Sequence, residues 1–210
     1  AEVGQYSTVL LELLNSSDSV TRQASSQMLA KPKLDPRNLV RHSDPSIRHA
    51  ALCVMERWEA SKIAASVQSI VHLLTDLDER VRTKALTVFM LVGIPELSKH
   101  SDVAVRKGLV TACASLQGDF LAAHASSLAG LLDDMDQSIY DGALKLLDKI
   151  DFEILAKHAD PTVRVAALML LETLKPAHIA ADASRMYQWF TDDDSTVRIR
   201  AMHTFSTLSY

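Results

Sequence analysis

An all-α, right-handed solenoid of stacked helical repeats is the fold class the sequence predicts, and three observations predict it. A short motif returns seven times along the 210 residues. Its spacing alternates in a fixed register. Glycine and proline number only six each, about half of average usage, so the chain has few places for hairpin turns.

The motif is Asp, two residues, Val or Ile, then Arg, followed by small residues. It reads DPSIR at Asp44, DERVR at Asp78, DVAVR at Asp102, DPTVR at Asp160 and DSTVR at Asp194. Degenerate copies are DSVTR at Asp18 and DQSIY at Asp136. The separations are 26, 34, 24, 34, 24 and 34 residues, so successive pairs sum to 58 from Asp44 onward. A repeat of 58 residues, made of a 34-residue and a 24-residue step, is therefore expected. It divides the single domain into a partial unit 1–43 and units 44–101, 102–159 and 160–210.

Each element has a sequence reason. The motif aspartate is a good N-cap, because its carboxylate accepts from the free amides of the first turn. Pro45 and Pro161 fall at the first helical position, where a missing N–H costs nothing. Apolar residues then recur at three and four spacing, as in VRVAALMLLETL after Asp160. The 34-residue step carries a second such pattern, KIAASVQSIVHLL, FLAAHASSLAGLL and HIAADASRMYQWF, whose first copy is YSTVLLELL near Tyr6. Each is expected to form a second long helix. The 24-residue step ends in connectors, NLVRHSD, ELSKHSD and ILAKHAD, that suit one short turn. Stacking these units buries a continuous core that no unit could bury alone.

Composition bounds the function. Apolar residues make up 48%, charged residues 23%, and the net charge is -4. That excludes a disordered chain and argues against nucleic acid as partner, which needs a concentrated basic surface. Two cysteines make no disulfide framework and fit a reducing compartment. The richest apolar run, residues 86–94, falls far short of the roughly 20 residues of a membrane span. A soluble intracellular protein is expected. The Ala1 start leaves open a removed targeting peptide, as for a plastid. Neither end carries a polar capping repeat, so the ends are expected either to contact other proteins or to continue into a longer array.

The DxxVRxxA motif after a Leu-Leu helix end resembles HEAT repeats over essentially the whole chain. The matching residues are Leu73, Leu74, Asp78, Val81, Arg82 and Ala85, and again Leu131, Leu132, Asp136, Ile139 and Ala143. The 24-residue steps depart from the two-helix HEAT unit and look more like leucine-rich-variant repeats. The resemblance implies a non-catalytic α-solenoid scaffold or subunit of a larger assembly. Protein would bind through its concave face or its ends. It also implies an alternative, a HEAT-like lyase holding a bilin-like small molecule in the concave groove. Deoxyhypusine hydroxylases are metalloenzymes with similar repeats that use His-Glu dipeptides, and no such dipeptide occurs here. No cofactor, metal or catalytic residue is assigned.

In such stacks the helix after the motif lines the concave face, and the fifth and ninth residues after each aspartate point off the core. The expected protein-binding row is His49, Cys53, Thr83, Lys107, Asp141, Lys145, Val165, Met169, Ile199 and His203. Asp44 and Arg48, Asp78 and Arg82, Asp102 and Arg106, Asp160 and Arg164, and Asp194 and Arg198 are each four apart. They are expected to pair as a structural ladder within or between layers, broken by Tyr140.

His42, His100 and His158 hold one register position. Their separation opposes a shared metal, so they read as turn histidines bonded to backbone or to the motif aspartate. Cys113 falls at a core position. Cys53 has His49 four residues before it, the one conceivable nucleophile and base. Trp189 and Phe190 take the core places of Leu131 and Leu132, while Tyr187 is free to protrude.

Overall fold

In a computed structural model the protein is described over residues 17–29, 35–173 and 187–208, with Val9 and Leu13 as isolated positions. The described chain is helical, with no strand among those residues. It divides into two compact units, Ala1–Gly108 and Leu109–Tyr210.

The first unit holds α1 (Ser19–Leu29), α2 (Pro36–Leu39), α3 (Pro45–Met55), α4 (Ala60–Ala64), two 3₁₀ turns (Val67–Ser69 and Val71–Thr75), α5 (Glu79–Met90) and α6 (Ile94–Ser98). Helix α7 (Val103–Cys113) contains the division between the units. The second unit holds α8 (Gly118–Ala122), α9 (Ala125–Ala129), a 3₁₀ turn (Gly130–Asp133), α10 (Gln137–Leu147), α11 (Phe152–Ala156), α12 (Pro161–Thr173) and α13 (Ser195–Leu208). Residues 187–190 are also helical.

The long helices follow the motif, and each core position recurs at a fixed offset from its aspartate. Three residues on stand Ile47, Val81, Val105, Ile139, Val163 and Val197, all buried. Seven residues on stand Ala51, Ala85, Leu109, Ala143, Ala167 and Ala201, all fully buried. The five alanines there let neighbouring helices approach closely, and Leu109 is the one large residue in the set. Helix α3 packs on α5 in the first unit, and α12 on α13 in the second.

The second helix of the 34-residue step is not long. KIAASVQSIVHLL breaks into α4 and two 3₁₀ turns, and FLAAHASSLAGLL into α8, α9 and a 3₁₀ turn. The breaks fall at Ser66 and His124, whose φ values are near -117° and -119°. Ser69 Oγ donates to the Ser66 carbonyl, a local bond that competes with the helix ladder. The apolar spacing survives the break, because Ile63, Val67, Ile70 and Leu73 are all buried. The connectors are single α-helical turns, α2, α6 and α11. Pro36 and Pro95 open two of them, as their missing N–H groups allow. The YSTVLLELL copy, and HIAADASRMYQWF up to residue 186, lie outside the described residues.

Candidate functional site

The seven motif aspartates all cap helices. Asp18, Asp44, Asp78, Asp102, Asp136, Asp160 and Asp194 each accept from the amide two residues on, at 2.7 to 3.2 Å. This fixes every layer's start and hence which side chains its helix turns outward.

The expected ladder forms with different partners. The Asp78 carboxylate does not pair with the Arg82 guanidinium; the two residues meet only through the helix backbone, where the Arg82 amide donates to the Asp78 carbonyl at 3.1 Å. Asp78 holds its own cap and an ion pair with Arg80 at 3.0 Å, which lowers its carboxyl to about 2. The motif arginine turns back toward the helix start, as helical side chains do. Its Nη1 donates to the two carbonyls just before the cap. These are His42 and Ser43 for Arg48, Asp76 and Leu77 for Arg82, and His100 and Ser101 for Arg106. Arg164 takes His158 and Ala159, and Arg198 takes Asp192 and Asp193. The ion pairs run 28 residues forward. Arg48 meets Asp76 bidentately, 2.8 Å on each arm, and Arg164 meets Asp192 at 2.8 and 2.7 Å. The same interval joins Lys84 to Glu56 and Arg200 to Glu172. Tyr140 supplies no guanidinium in the fourth place of its motif.

From Asp44 onward the residue two before each cap closes the turn. Asp76, Asp134 and Asp192 accept from the amides of Asp78, Asp136 and Asp194 at 2.9 to 3.0 Å. His42, His100 and His158 do the same through Nδ1 for Asp44, Asp102 and Asp160, at 3.0 to 3.1 Å. The histidines are turn residues bonded to backbone.

With the starts fixed, the outward row follows. Thr83, Lys107, Asp141, Lys145, Ile199 and His203 are exposed, and His49, Cys53, Val165 and Met169 are half-buried. Val165 packs against the terminal cluster of Leu168, Leu171, Trp189, Val197 and Ala201, so it offers less apolar surface than its place in the row implies. Ile199 is 66% exposed. His203 Nδ1 lies 3.3 Å from Glu172, which also accepts from Thr204 and pairs with Arg200.

Cys53 and His49 do meet, with Sγ 3.8 Å from Nδ1. Burial raises the thiol's pKa and lowers the imidazole's. Both shifts favour the neutral pair over thiolate and imidazolium, the reverse of an activated nucleophile. Cys113 is buried, and its thiol is pushed up to about 11.

Trp189 is 3% exposed. It stacks edge-on to Phe152 at 6.1 Å, with Nε1 3.4 Å from the Ala156 carbonyl. Phe190 meets Phe205 edge-on at 5.7 Å, and Tyr187 is exposed. A cavity of about 160 Å³ lies beside Trp189, lined by Glu153, Ala156, Lys157 and Gln188. It is smaller than the roughly 300–1,000 Å³ of usual small-molecule sites. Among the described residues no cluster of three or more His, Cys, Asp or Glu could hold a metal, and no helix is long and apolar enough to cross a membrane.

The chain is similar in structure to an archaeal HEAT-like repeats protein from Thermococcus onnurineus NA1, at 14% identity over 97% of each chain and a TM-score of 0.36. An engineered protein is similar at 18% identity over 97% of this chain and 68% of that one, with a TM-score of 0.33. A designed armadillo repeat protein is similar at 15% identity over 96% of this chain and 99% of that one, with a TM-score of 0.29. No family model and no curated protein matches the chain.

Proposed function

We propose that this protein is a non-catalytic scaffold that binds one or more proteins, as part of a larger assembly, through the row His49, Cys53, Thr83, Lys107, Asp141, Lys145, Val165, Met169, Ile199 and His203. One observation carries the reading. From layer to layer the core and turn positions repeat in type, while the outward row does not. Three residues after the aspartate the chain places Ile or Val in every copy from Asp44 to Asp194. Five residues after, it places His, Thr, Lys, Asp, Val and Ile from Asp44 to Asp194. A surface kept only for solubility has no need of a different chemistry in each layer. A row that reads a partner does, since each layer then contributes its own contact.

The test is a pair of variants in affinity capture from source lysate. Lys107→Glu with Lys145→Glu reverses two exposed row charges, and neither residue is buried, so thermal unfolding stays within about 2 °C. The expected result is loss of a protein that the unaltered chain captures. Lys99→Glu with Lys157→Glu, off the row, retains it. Equal capture by both variants overturns the assignment.

A further inference from the structure

We infer that the three histidine-closed turns form an acid-sensitive device that loosens alternate layers while sparing the others. Six turns share one geometry, in which the side chain two residues before the cap accepts the cap's own amide. Three use a carboxylate (Asp76, Asp134, Asp192) and three use an imidazole Nδ1 (His42, His100, His158). The chain uses the two side chains in one acceptor role. Their chemistry parts on acidification. A carboxylate still accepts at pH 5. An imidazolium carries protons on both nitrogens and has no lone pair left to accept with. Protonation of His42, His100 or His158 therefore sets N–H against N–H across a bond of 3.0 to 3.1 Å.

The charged surroundings of each turn act in both directions. His42 faces the Arg48 guanidinium, which donates to its carbonyl, with Arg41 beside it and Asp44 opposing. From the neighbouring 3₁₀ turn comes His72, bonded to the Val40 backbone, and from the residue that ends that turn comes Asp76, already paired with Arg48. His100 has Lys99 and Arg106 against Asp102, with Arg106 donating to its carbonyl. His158 has Arg164 on its carbonyl, Lys157 paired with Glu153, and Asp160, whose carboxyl also bonds Ser126 of α9. Asp192 is taken by Arg164. Each imidazolium so gains one carboxylate neighbour. It also meets one guanidinium seated on its own carbonyl and loses its acceptor bond. The starts of α3, α7 and α12 are the ones released. The starts of α5, α10 and α13 hold.

The experiment is amide hydrogen exchange on the full chain at about pH 7.5 and about pH 5.0, corrected for intrinsic rates. Protection of the Asp44, Asp102 and Asp160 amides is expected to fall about fivefold, the worth of one hydrogen bond. Protection of the Asp78, Asp136 and Asp194 amides is expected to hold. In the triple variant His42→Asp, His100→Asp, His158→Asp the first set keeps its protection in acid. Imidazole nitrogen NMR of the unaltered chain at about pH 7.5 supplies a readout that needs no variant, and Nδ1 of all three rings is expected unprotonated. Equal loss in both sets, no loss in either, unchanged acid sensitivity in the triple variant, or a proton on Nδ1 at neutral pH overturns the inference.

Discussion

Replacing Arg48 by alanine removes four side-chain hydrogen bonds at once. Its guanidinium makes two bonds to Asp76 and two to the carbonyls of His42 and Ser43, all between 2.7 and 2.8 Å. The two side chains are only 14% and 8% exposed, so the pair is screened little by solvent. Removing one partner of a buried pair costs about 3–5 kcal/mol, because the other charge stays behind. Two features pull the value to the low end. Asp76 keeps the Asp78 amide as a donor. The Ser43 carbonyl lies at the surface, where water replaces the lost donor. Arg48→Ala is therefore expected to cost about 3 kcal/mol in urea unfolding. Arg48→Ala with Asp76→Ala is expected to cost less than the sum of the singles by about 2 kcal/mol. The Asp76 carboxyl is held below its ordinary value chiefly by its bond to Arg48. Its stabilisation is complete above about pH 4 and is lost as the pH falls through the lowered value, and the double variant should lack that acid limb. A cost below about 1 kcal/mol, or strict additivity, would refute the view that the 28-residue pairs tie layers together.

Two further outcomes follow from close packing. A Cβ on Gly118 would sit 2.1 Å from the Lys149 carbonyl oxygen and 3.0 Å from its carbon, and backbone cannot step aside. Gly118→Ala should cost about 2 kcal/mol or more in thermal melts, whereas Gly130→Ala, which meets nothing within 4 Å, should be neutral or slightly stabilising. Half-buried Cys53 should react with a thiol reagent at about pH 8 in the folded state. Cys113, buried and raised to about 11, should react only on unfolding, as mass spectrometry of timed samples will show.

Much of this arrangement was legible in the sequence because it repeats. The aspartate register placed every cap, and caps set the phase of each helix, so Thr83, Lys107 and Asp141 could be turned outward before any coordinates. The histidine turns were legible for the same reason, since three copies at one offset cannot converge on a metal. The ladder was misassigned because four-residue spacing pairs side chains only inside a helix. An aspartate at the cap is committed to amides ahead of it, and an arginine in the first turn reaches back past it. The signal for the true partner was present in Asp76 and Asp192, which stand two residues before a cap, at the same offset as His42, His100 and His158. The broken second helix was hidden for another reason. Ile63, Val67, Ile70 and Leu73 keep helical spacing whether the backbone is α or 3₁₀, so periodicity alone does not report the breaks at Ser66 and His124.

Cross-linking with mass spectrometry on a captured complex addresses the central claim most directly, because exposed lysines stand both on and off the row. Lys107 and Lys145 lie on it, and Lys62, Lys99 and Lys157 lie off it. Partner cross-links at Lys107 and Lys145, and none at the other three, are the result expected of a scaffold that binds through the helices following the motif. Partner cross-links confined to Lys62, Lys99 and Lys157 would contradict it.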